Sequence, residues 1–67
     1  MPKKWHMLTK AEFKDNFCKK IFVWNDIKNV QRRRIQGMIP SGPRFISVCE
    51  NGHQYCTLFA SVGNPNK

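Results

Sequence analysis

Apolar residues change their spacing along this chain. From Leu8 onward they fall at Phe13, Phe17 and Ile21, every fourth residue, which is the repeat of one helical face. Ile21-Phe22-Val23-Trp24 is then apolar without a break, and Asn25-Asp26 interrupts it. Beyond Arg44 the pattern becomes short: Phe45, Ile46 and Val48 precede Asn51-Gly52, and Tyr55, Leu58 and Phe59 follow it. Helices are therefore expected in the first half and strands in the second.

Thr9-Lys10-Ala11-Glu12 has the spacing of a capping box, in which a Thr hydroxyl and a Glu carboxylate reciprocally satisfy the orphan amides of a helix start. A first helix is predicted from Lys10, with Leu8 and Phe13 placed for a hydrophobic staple. It is expected to stop near Phe22, and Asn25-Asp26 to cap a second helix with Ile27 and Val30 inward and Lys28 and Arg32 outward. One continuous helix over 10–35 is the competing reading. Gly37-Met38-Ile39-Pro40-Ser41-Gly42-Pro43 is rich in turn formers and separates the halves.

The second half reads as a β-hairpin about a type I′ turn at Asn51-Gly52. Pairing outward from that turn sets Glu50 against His53, Val48 against Tyr55 and Phe45 against Leu58. Ile46, Val48 and Tyr55 then share one face, and Phe45, Leu58, Cys49 and Cys56 the other.

With 67 residues the chain is one domain: an N-terminal arm (1–8), a helical part (9–36), the hairpin (44–60) and a frayed tail (61–67). The expected class is α+β, two helices followed by a hairpin, an order like that of a winged helix-turn-helix. A chain of this size buries only about 60% of its unfolded surface, so its eight aromatic residues must make a dense core. No apolar run is long enough to span a membrane, and none follows the N-terminus as a signal peptide would require. With three cysteines, an odd number, this points to reduced thiols and an intracellular setting, cytoplasm or nucleoid.

Candidate chemistry is sparse. Cys49, His53 and Cys56 lack the two-to-four-residue ligand spacing of zinc knuckles, and a regular hairpin puts His53 on the face opposite the two thiols. The diagonal placement of Cys49 and Cys56 is too wide for a disulfide. The acids Glu12, Asp15, Asp26 and Glu50 form no pair, and no phosphate loop is present. His53 and Tyr55, with the Arg residues, are the only set that could move protons in RNA cleavage, and they read better as hairpin surface. Neither an enzyme nor a cofactor is expected.

Charge is the main functional signal. The net charge is +8, and residues 1–34 carry ten Lys or Arg against three acids. Cations at a helix C-terminus complement its dipole, but three consecutive Arg exceed that need. Lys28, Arg32, Arg33, Arg34 and Arg44 are the expected nucleic-acid contacts, with duplex DNA as partner and the second helix entering its major groove. The corresponding function is a DNA-binding accessory factor or a repressor of a mobile element. The alternative is a small inhibitor or adaptor that binds an acidic surface of a host protein, such as a nucleic-acid enzyme, with Trp5, Phe22 and Trp24 as anchors.

Overall fold

Ile21-Phe22-Val23-Trp24 forms a strand, and this reorganises everything before the hairpin. The computed structural model describes residues 5–39 and 44–66. In chain order these hold α1 (Lys10–Asp15), β1 (Lys20–Trp24), β2 (Gln31–Ile39), β3 (Arg44–Val48), β4 (Gln54–Thr57) and β5 (Phe59–Ser61). The expectation of two helices and a winged helix-turn-helix arrangement is therefore overturned: the described residues form an antiparallel five-stranded sheet with one six-residue helix. Lys28 lies in the β1–β2 turn, and Arg32, Arg33 and Arg34 lie on β2. Of the turn-forming segment, 37–39 belong to β2, and 40–43 fall outside the described residues.

The capping box forms as expected. The Glu12 N–H donates to Thr9 Oγ1 at 3.2 Å and the Thr9 N–H donates to Glu12 Oε1 at 3.1 Å. The Thr9 N–H bond, with help from His6, holds the Glu12 carboxyl below its ordinary range. The helix then ends early: the Asn16 side-chain amide caps the Glu12 carbonyl beside the last helical N–H bond, and Cys18 takes a φ of 64°. The chain is thereby reversed into β1. Asn25-Asp26 likewise makes a turn instead of capping a helix. Asp26 Oδ1 accepts from the Lys28 N–H at 3.1 Å, and the Asn29 N–H donates to the Asp26 carbonyl at 2.8 Å.

The strand order is β4-β3-β2-β1-β5. In a flat sheet the outer strands would be about 19 Å apart. Yet β4 and β5 are joined by Leu58 alone, a link that reaches about 7 Å. The sheet must therefore curl until its edges meet, as a small, partly closed barrel. Asn25 secures the junction: its Oδ1 accepts from the Leu58 N–H at 2.8 Å and its Nδ2 donates to the Cys56 carbonyl at 3.5 Å. On β2 the register shifts between Ile35 and Gly37, where the strand leaves β1 and continues along β3. Gly37 allows a close approach here, since a Cβ would come within 3.0 Å of the Ile46 Cβ and Ile46 would have to give way.

Strand alternation sorts the side chains. Ile21, Val23, Ile35, Phe45 and Ala60 face inward and join Leu8 in the core, with Met7, Phe13 and Met38 packed against it. Phe13 on α1 thus covers one end of the barrel, and Leu8 is held by its N–H to the Ala60 carbonyl at 2.9 Å. Trp24 is buried on the outer side, stacked on Phe59 and met edge-on by Trp5. Past β5, the Gly63 N–H donates to Ser61 Oγ, and the Asn66 side-chain amide donates to the Ile27 carbonyl.

The hairpin forms with a different register. Val48 pairs with Gln54, Ser47 with Tyr55, Ile46 with Cys56 and Phe45 with Thr57, one residue from the expected pairing. A type I′ turn needs positive φ at both Asn51 and Gly52, but only Gly52 has it, at 86°. The Gly52 N–H instead donates to the Cys49 carbonyl, and Asn51 Oδ1 accepts from the His53 N–H. The result is a three-residue loop, and the slip moves Tyr55 to the inner face and Cys56 to the outer. Gly52→Val is expected to cost about 1–2 kcal/mol through its left-handed backbone, although nothing lies near the added carbon. An unchanged thermal melt would contradict this turn.

Candidate nucleic-acid interface

Three consecutive arginines on a strand cannot share a face. Arg32 and Arg34 point outward, opposite Phe22 and Lys20, whereas Arg33 is opposite the inward Ile21. The expected cluster is thus split, two with one. What joins the outward pair is Lys20, directly across from Arg34. Lys20 carries no signal of this role in the sequence, because its partner across the sheet is set by the β1–β2 register.

The outward cations line a groove of about 410 Å³ with Arg33, Val48, Cys49, Glu50 and Asn51. Arg32 lies over the Phe22 ring, 5.4 Å from its centroid, an arrangement worth about 0.5–1 kcal/mol when exposed. Lys20 Nζ is 3.1 Å from Glu50 Oε1, with the two side chains 44% and 78% exposed. Such a solvated pair contributes little to stability. The Lys20 bond and charge, followed by the charge of Arg34, hold the Glu50 carboxyl below its ordinary range, so it is ionised at neutral pH. One carboxylate therefore faces four cations in this groove, Lys20, Arg32, Arg33 and Arg34.

Arg44 is exposed on the same outer side, four residues before Val48 and about 13 Å along the strand from the Arg34 row. Lys28 is exposed in the β1–β2 turn, away from the groove. Trp24 is 2% exposed and Phe22 is half-buried beneath Arg32, while Trp5 packs edge-on against Trp24 and Phe59. The three aromatics do not form one exposed patch. Among the described residues, no three His, Cys, Asp or Glu side chains are grouped to hold a metal ion. No described helix is long and apolar enough to cross a membrane.

Arg33 reaches the edge of the same groove from the inward side of β2. Its guanidinium sits 3.8 Å from the centre of the Tyr55 ring, joining β2 to β4 across the inner side. The register that brings them together, Ile35 to Ser47 to Tyr55, follows from the three-residue hairpin loop. Reading Gln31–Ile39 as a strand would have exposed both the split of the arginines and this pairing.

No family model, curated protein or solved structure matches the chain.

Proposed function

We propose that this chain is a small basic nucleic-acid-binding protein of an accessory or regulatory kind, which holds the phosphate backbone on the outward side of β1 and β2. The observation that carries the reading is the direct opposition of Lys20 and Arg34, with Arg32 beside them. Like charges facing each other across a sheet cost stability, and the single carboxylate of Glu50, bonded to Lys20 and attracted by Arg34, offsets this in part. A polyanion relieves that repulsion and uses the bidentate geometry of arginine. With no recognition helix among the described residues, contact is made by the sheet surface, and backbone contacts of this type position a nucleic acid without reading its sequence.

The alternative, docking on an acidic host protein, relied on Trp5, Phe22 and Trp24 as anchors. The burial of Trp24 and the cover of Arg32 over Phe22 favour the phosphate reading. Fluorescence anisotropy with labelled oligonucleotides is the test. Three phosphate contacts predict a slope of log K against log salt of about −2 for a single strand and about −2.7 for a duplex. A flat salt dependence, or no binding at low salt, would overturn the proposal.

A further inference from the structure

At the barrel mouth, inward positions that would be apolar deeper in the core are polar. Gln31 and Arg33 on β2 share the face of Ile35, and Tyr55 and Thr57 on β4 share the face of Ser47. With Trp24, Asn25, Asp26 and Asn29 they line a second cavity of about 210 Å³. A dry cavity of about 150 Å³ accepts a benzene ring, so this one has room for a planar heterocycle.

From this geometry we infer that the mouth is a pocket for one unpaired nucleobase of a single-stranded nucleic acid whose backbone lies in the cationic groove. The inference rests on the nucleic-acid reading and deepens it. Arg33 lines both cavities, so a nucleotide with its phosphate beside Arg32 and Arg34 can place its base at the mouth. The guanidinium of Arg33 on the Tyr55 ring is a ready-made planar platform, and Tyr55 remains 37% exposed. Arginine planes and tyrosine rings are the surfaces on which unpaired bases stack.

Edge recognition comes from two amides. Gln31 Nε2 donates to Asn29 Oδ1 at 2.9 Å, which orients both side chains and directs Gln31 Oε1 and Asn29 Nδ2 to other partners. An acceptor beside a donor complements the Watson–Crick edge of a base, an edge that is occupied in a duplex. Asp26 adds its second carboxylate oxygen, the first being engaged by the Lys28 N–H. The Asn25 amide is used at the Leu58 junction and holds the wall of the pocket.

The test compares labelled homo-oligonucleotides of dA, dC and dT with an abasic phosphodiester of equal length, by anisotropy at one salt concentration. The base-bearing strands are expected to bind at least about five-fold more tightly than the abasic one, as stacking of a base on an aromatic platform implies. They should also differ among themselves. Gln31→Leu, at an exposed position that leaves the core intact, should level the differences among dA, dC and dT while keeping the salt slope. Tyr55→Leu should reduce binding of base-bearing strands towards the abasic level, with thermal melts confirming the fold. Equal affinity for abasic and base-bearing strands, or base preferences that survive Gln31→Leu, would overturn the pocket while leaving backbone binding intact. Absence of salt-dependent binding to every probe would instead remove the nucleic-acid reading on which the pocket rests.

Discussion

Ile35→Ala is expected to destabilise the protein by about 2–5 kcal/mol, the cost of a large-to-small change in a packed core. Ile35 is 0% exposed, sits on the central strand between β1 and β3, and packs with Leu8, Ile21, Val23, Phe45 and Ala60. A domain of 67 residues has a total stability of about 3–10 kcal/mol. The substitution therefore removes a large part of it, and urea or thermal unfolding should show a steep fall in midpoint. Ile35→Val, which deletes one methylene, should cost only about 0.5–1.5 kcal/mol. A loss below 1 kcal/mol for the alanine variant would place Ile35 outside the core and reject the inward register of β2.

The largest effect on binding is expected from reversing two charges together, Arg32→Glu with Arg34→Glu. Hydrogen bonds to charged groups contribute about 1.5–3 kcal/mol each, so losing two should weaken oligonucleotide binding about 100-fold or more. The salt slope should drop to about −0.7, the value for one remaining contact on a single strand. Stability should move differently. A glutamate at position 34 faces Lys20 across the sheet, turning a repulsive pair into an attractive one, while it exchanges attraction to Glu50 for repulsion and the loss of Arg32 from the Phe22 ring costs about 0.5–1 kcal/mol. The melting temperature should thus change little. Wild-type affinity in this variant would show that the outward face is a solvated surface, and the acidic-partner reading would then be the better one.

What could be read from the chain was what is decided locally. Thr9 and Glu12 satisfy each other's backbone, so the start of α1 at Lys10 was legible three residues at a time. Asn51-Gly52 marked a reversal, but the pairing across it depended on whether one or two residues take positive φ, and only Gly52 does. The second helix was misread for a different reason. Lys28 and Arg32–Arg34 are good helix formers in isolation, and Ile27 and Val30 sit at helical spacing. Tertiary packing overrides this at β1, where Ile21 and Val23 enter the core and Trp24 is covered from the other side by Phe59 and Trp5. An apolar run covered on both faces is a strand signal, and its covering residues lie far away in the chain. The same distance hid the site: the charge was legible, but Lys20 opposite Arg34 and Arg33 over Tyr55 are products of strand register.

The Leu58 junction also sets the order in which the sheet can assemble. The β1–β2, β2–β3 and β3–β4 pairs each join neighbours in the chain, whereas β1 and β5 are the first and last strands, and bringing them together carries the largest loop-closure entropy. Closure is therefore expected to come last. Both tryptophans stand at that seam, Trp24 stacked on Phe59 with ring centroids 5.6 Å apart and Trp5 5.0 Å from Trp24. Phe59 reaches Trp24 only when the final strand docks, so the intrinsic fluorescence of this chain is expected to report the closing of its barrel in addition to the formation of the β1–β2 hairpin.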